Sequence, residues 1–194
     1  MRSIIGLLGF LIALSGCSTT SVNLKYSPST SVAKVSPSAL PVSVGTFLDQ
    51  RGNAPNWIGA VRGGFGNPIK VLESDRPVSE LVRVAFLDGL RERGASVATS
   101  ASAYQITGII KRLDSSQYVR REAHVHLELT VIDPNGQQRF TRTYTADNVD
   151  GSLISVSTGV FGSIEELRAV LEKTLREAVD KALDDSALRS AARM

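Results

Sequence analysis

Val125-His126-Leu127-Glu128-Leu129-Thr130-Val131-Ile132-Asp133-Pro134-Asn135-Gly136-Gln137-Gln138-Arg139-Phe140-Thr141-Arg142-Thr143-Tyr144 reads as one β-hairpin. Apolar and polar residues alternate through Val131, the period of a strand with one buried face. Asp133-Pro134-Asn135-Gly136 is a dense turn signal. Closing that turn with Ile132 opposite Gln137 sets Leu129 opposite Phe140 and Val125 opposite Tyr144. The apolar partners then share a face, which fixes the register. The other face carries His124, His126, Glu128 and Thr130 beside Arg139, Thr141, Thr143 and Thr145, and is polar.

Working outward, residues 104–113, 118–132 and 137–146 predict three successive antiparallel strands. Upstream, Val78, Leu81, Val82, Ala85, Phe86 and Leu90 recur at helical spacing, with Pro77 in the first turn, Ser74 or Asp75 as cap and Gly94 as the stop. Before this helix, Val42, Val44, Thr46 and Leu48 alternate with Ser43, Gly45 and Phe47 as an opening strand. The Gly-rich segment 49–74 between them is long enough to hide a short hairpin, near residues 57–61 and 69–72. A closing helix follows Ser163 and Glu166, spaced as a capping box, and buries Ile164, Leu167, Leu171, Leu175, Ala178 and Ala182. The expected fold is α/β (α+β). It is a two-layer sandwich of a mixed, mainly antiparallel four-stranded sheet with two helices on one face, in the order β-α-β-β-β-α.

The N-terminus has a different character. Arg2 precedes an apolar run, residues 4–14, too short to span a bilayer. It ends in Leu14-Ser15-Gly16-Cys17, a bacterial lipobox. Residues 1–16 are therefore expected to be a lipoprotein signal peptide, with Cys17 acylated after cleavage. The acyl chains would hold the protein to a membrane. Ser18, rather than aspartate, follows the cysteine and favours the outer membrane, with the domain facing the periplasm. Cys17 is the only cysteine, so no disulfide or thiolate chemistry remains. Ser, Thr and Pro dominate up to residue 40, which predicts a flexible tether over residues 17–40. A folded domain over 41–186 and a frayed tail over 187–194 complete the expected organisation.

With 22 basic and 19 acidic side chains, the charge is nearly balanced and gives no electrostatic case for nucleic acid. No Gly-x-Ser-x-Gly elbow is present, and the two histidines neighbour each other on one strand. The chain is therefore expected to be non-enzymatic, with no cofactor. His124, His126 and Glu128 project together and form the best metal candidate, but two histidines on a polar face are more simply solvated residues, and no metal is expected. Lys111, Arg112, Arg120 and Arg121 are expected to gather at one hairpin end as an anion site. Arg62-Gly63-Gly64-Phe65-Gly66 lacks the lysine and helix of a phosphate loop. Trp57 and Phe65 in that region, and Val160 and Phe161 in the apolar segment 152–162, are candidate partner-binding residues.

The lipobox, the opening strand Pro41-Val42-Ser43-Val44, the helix running into Arg93-Gly94-Ala95, the strand-rich middle before Val149-Asp150-Gly151 and the closing helix together resemble the YajG-like family of small bacterial lipoproteins. The resemblance implies an outer-membrane lipoprotein without an assigned activity. The expected function is a lipid-anchored domain that binds another envelope component, protein, glycan or lipid. The alternative is a lipid or small-ligand carrier, an auxiliary subunit of an envelope transport system.

Overall fold

The computed structural model describes residues 18–99, 103–150 and 163–194. The elements are β1 (Ser18–Val22), β2 (Val42–Asp49), β3 (Trp57–Arg62), β4 (Pro68–Ser74), α1 (Val78–Glu92), β5 (Tyr104–Gln117), β6 (Arg121–Ile132), β7 (Gln138–Asp150), α2 (Ile164–Leu183) and α3 (Ser186–Ala191). The fold is mixed α+β, with seven strands and three helices among the described residues where four and two were expected. The sheet runs β1-β4-β3-β5-β6-β7, and β2 pairs with β5. Strand β5 is long enough to hold β2 along Tyr104–Ile110 and β3 along Ser115–Gln117, both parallel to it, while β6 takes its other edge. The two extra central strands are the hairpin β3–β4, hidden in the Gly-rich segment.

Both helical stripes are buried as their spacing requires. Val78, Leu81, Val82, Ala85, Phe86 and Leu90 of α1 and Leu167, Leu171, Leu175, Ala178 and Ala182 of α2 face the sheet. They meet Ile106, Ile110 and Leu113 of β5 and Val125, Leu127, Leu129 and Val131 of β6 in one core. The α1 stop is a Schellman turn. Gly94 takes φ +77°, its N–H donates to the Arg91 carbonyl, and Ala95 N–H donates to that of Leu90. The start of α1 differs from expectation. Pro77 is its N-cap, while Asp75 pairs with Asn23 and Arg76. Ser163 is the N-cap of α2, but its hydroxyl donates to Glu165, and no capping box forms.

Two local registers differ as well. Val44 and Phe47 of β2 face Ile106 and Gly108, so β2 carries one extra residue, a bulge. The bulge inverts the alternation: Phe47 is buried and stacks on Phe86 at 5.2 Å, and Leu48 points out. Gly108 makes room for this, since a Cβ there would lie 3.0 Å from the Phe47 ring and 2.7 Å from the Glu128 carbonyl. In the β6–β7 hairpin, Asp133 N–H donates to the Gln137 carbonyl, the Asp133 carboxylate accepts from Asn135 and Gln137 N–H, and Gly136 takes φ +80°. This longer turn, followed by a bulge at Ile132, shifts the register by two. Leu127 faces Tyr144, Leu129 faces Arg142, and Val131 faces Phe140. An even shift preserves the faces, so the polar outer face stands.

Residues 18–40 do not form the expected tether. Strand β1 pairs in parallel with β4, Ser18 opposite Lys70, and Leu24 is buried. The chain then crosses the helices and is fastened by buried Arg93. Arg93 donates to Asp180, Asp184, the Tyr26 hydroxyl and the Gly89 carbonyl at 2.9–3.1 Å. Asp180 also accepts from Tyr26 (2.5 Å) and from the hydroxyl and N–H of Ser29. Burial works to raise the Asp180 carboxyl, but the bonds from Ser29, Tyr26 and Arg93 outweigh it and hold it below the usual carboxylate range. The tail is not frayed either. Asp185 caps α3 through Ala187 N–H, and Leu188 and Ala192 are buried.

Candidate functional site

Strand β6 turns Ala123, Val125, Leu127, Leu129 and Val131 into the core and His124, His126, Glu128 and Thr130 outward. The shifted register brings Asp147 of β7 directly opposite His124. One carboxylate oxygen of Asp147 lies 2.6 Å from His124 Nδ1 and 2.9 Å from His126 Nε2. The hydrogen bond from His124, joined by that from His126, holds the Asp147 carboxyl below its usual range. The two rings stand edge to face, 6.4 Å apart. One donor atom from each residue lies within 4.8 Å of the others. Two imidazoles and a carboxylate with solvent on the remaining side suit a divalent transition metal with exchangeable positions. Glu128, the third residue of the expected set, instead lies 3.8 Å from Lys111. The register expected from the sequence places Thr145 opposite His124 and Asp147 two residues away, so the sequence alone does not join Asp147 to the histidines.

The four basic residues do not come together. Strand β5 continues past Leu113 to Gln117, so Arg112 faces His126 in mid-sheet while Arg120 and Arg121 lie at the far turn. Each has acidic company: Arg112 with Asp114 (2.6 Å), Arg120 with Glu122 (2.7 Å), and Arg121 with Glu166 and Asp150. An anion cluster of the four is not formed.

Trp57 and Phe65 also separate. Trp57 opens β3 and is half-buried, its carbonyl accepting from Arg51. Phe65 sits on the turn between β3 and β4 and is wholly exposed. Gly66 takes φ +79° there, its N–H donates to the Gly63 carbonyl, and Arg62 donates to the Gly66 carbonyl at 3.0 Å. The neighbouring β5–β6 turn is tied to this tip, the Tyr118 hydroxyl donating to the Gly64 carbonyl at 2.7 Å. Tyr118, Val119 and Ile69 are exposed beside it. Val160 and Phe161 lie outside the described residues, as does Cys17.

At the other end of the sheet, an open cleft of ≈ 680 Å³ lies between the starts of β2 and β5 and the second half of α1, lined by Ser43, Gln105, Leu87, Val97, Arg83 and Arg91. Both arginines are already paired, Arg83 with Glu80 and Arg91 with Asp88. Among the described residues, no helix is long and apolar enough to cross a membrane.

A family model described as uncharacterized lipoprotein matches residues 31–192. A crystal structure of a Xanthomonas campestris protein is similar over 89% of this chain and 96% of its own, with a TM-score of 0.63 and 15% identity. A second crystal structure, of an uncharacterized protein, covers 87% of this chain and 97% of its own, with a TM-score of 0.56 and 9% identity. At these identities the likeness shows the fold alone. A minor lipoprotein from Acinetobacter baumannii is more distant, with a TM-score of 0.43 and 8% identity over 79% of this chain and 94% of its own. No protein of curated function matches the chain.

Proposed function

The chain belongs to this family of uncharacterised lipoproteins, and from that premise we propose that it is a non-enzymatic adaptor of the outer membrane, anchored through acyl chains on Cys17. Its domain receives another envelope protein on the outer face of the sheet. The observation that carries this reading is the one-sided packing of the sheet among the described residues. The helices cover one face of β5, β6 and β7, and the other presents His124, His126, Glu128, Thr143, Thr145 and Asp147 to solvent. Ordered main chain under a polar, laterally bonded side-chain layer is a rigid docking platform, the form that limits the ordering cost of association.

The test is crosslinking in cells followed by mass spectrometry, with Cys17→Ala and a Thr143→Arg, Thr145→Glu double variant as comparators. One recurrent envelope partner, lost in both variants, supports the adaptor. Retention of lipid by the purified domain in native mass spectrometry, with no protein partner, supports the carrier reading, and the ≈ 680 Å³ cleft is then the place to look.

A second reading has its own observation, the convergence of His124, His126 and Asp147. On this reading the outer face holds a zinc-like ion. Calorimetric titration of the mature protein with Zn²⁺ then gives one site, which Asp147→Asn abolishes or strongly weakens by removing one of the three ligands. An unchanged isotherm in that variant overturns it.

A further inference from the structure

Ser18, which follows the proposed acylation site, and the wholly exposed Phe65 lie at the same end of the sheet, with exposed Tyr118, Val119 and Ile69 beside them. Strand β1 is parallel to β4, and Ser18 sits opposite Lys70 near the start of that strand. The start of β4, the end of β3, the end of β5 and the start of β6 all converge there, through the pairs Arg62 with Pro68, Val61 with Gln117, and Gln117 with Arg121. Cys17 is joined to Ser18 by one peptide bond, so its Cα lies about 3.8 Å from that of Ser18. No slack chain separates the acylation point from the sheet.

We infer that this end of the domain rests in the bilayer interface, with Phe65 as a side-chain wedge and Tyr118, Val119 and Ile69 around it. The inference rests on acylation of Cys17, and it commits the exposed patch to a lipid surface. Three observations favour lipid. Ser18, joined to Cys17, opens a strand three strand spacings, about 14 Å, from β5, whose end leads into Tyr118. Ser18 is level with Lys70 and Val61, and the Phe65 tip extends beyond that level by about three residues of strand, roughly 10 Å, which matches the depth reached by interfacial side chains. The exposed residues are an aromatic ring, a tyrosine and two β-branched aliphatics, the chemistry of a membrane interface, and Tyr118 keeps its hydroxyl bonded to the Gly64 carbonyl. The arrangement also supplies a second membrane signal beside the acyl chains and fixes orientation: the Asp133–Gln137 turn and the ≈ 680 Å³ cleft face away from the membrane.

The test uses the full acylated protein, purified from membranes and reconstituted into vesicles of phosphatidylethanolamine with phosphatidylglycerol. Acylation blocks Cys17, the only cysteine, so Phe65→Cys, Val119→Cys and Asn135→Cys each present one thiol for an environment-sensitive fluorophore. Labels at 65 and 119 are expected to shift their emission to the blue and to lose aqueous iodide quenching severalfold. The label at 135 stays fully quenched. Equal quenching at all three positions, in protein that floats with the vesicles, overturns the inference while leaving the anchor intact. Protein that fails to float overturns the anchor itself and the inference with it. Labels at 65 that are shielded in cell envelopes but quenched on vesicles assign the patch to a protein, which also overturns it.

Discussion

Ser18 faces Lys70 across a parallel ladder at the edge of the sheet. If Cys17 carries the acyl chains, as proposed, that pairing would bring them close to the domain, because only one peptide bond separates Cys17 from Ser18 of β1. A long linker would let the domain tumble. In the proposed anchoring the sheet would be held at that end, and the segment after β1 is fastened over the helices by Arg93 and Asp180, 3.0 Å apart.

Arg93→Met should release this segment. Removing one partner of a buried pair leaves an uncompensated charge and costs about 3–5 kcal/mol. Chemical denaturation should report that loss, and limited proteolysis should cut within residues 23–40 of the variant before any other site. Arg91→Met, which breaks only the exposed pair with Asp88, should stay within about 1 kcal/mol of the parent protein.

The same fastening should depend on pH. The Asp180 carboxyl is held below the usual range in the folded state. Its contribution is therefore complete above the unfolded-state value of about 3.9 and is lost as pH falls through the lower folded-state value. Hydrogen exchange at Ser29 N–H, which donates to Asp180, should lose protection in that acid window. Asp180→Asn should show the weakened protection at neutral pH and little further change on acidification.

The bulge in β2 makes neighbouring residues unequal. Phe47→Ala should cost about 3–5 kcal/mol, since the ring is buried against Phe86. Leu48→Ala should change stability by no more than about 0.5 kcal/mol. Thermal or urea denaturation of the two variants checks the inverted alternation, and equal losses would contradict it.

Phe65→Ser should leave the fold as stable as the parent, within about 0.5 kcal/mol, because the ring touches solvent on all sides. In vesicles it should nevertheless loosen the domain's contact with lipid, read as faster exchange at the Gly63 and Gly66 N–H groups.

Much of this fold is legible in the chain. The helical stripes of α1 and α2, the Gly94 stop and the two faces of β6 follow from periodicity and turn chemistry, and a hairpin could be anticipated within the Gly-rich segment. Residues 18–40 were not legible, because their composition is that of a loop. What orders them is contact with distant parts of the chain: the β1 ladder with β4, and Tyr26 and Ser29 with Asp180, positions some 150 apart. The polar face was legible, but its most distinctive group was not. Asp147 reaches His124 only because Asp133 and Gly136 build a longer turn and move the register by two. The anion cluster failed for a similar reason: β5 runs four residues further than its apolar alternation announces and carries Arg112 away from Arg120.

Site-specific photo-crosslinking in living cells separates the membrane-facing end from the docking face, with the photoreactive residue placed at Phe65 in one strain and at Thr143 in another. Lipid adducts and no recurrent protein adduct are expected at Phe65, and one recurrent envelope protein at Thr143. A recurrent protein adduct at Phe65 together with none at Thr143 would contradict both assignments.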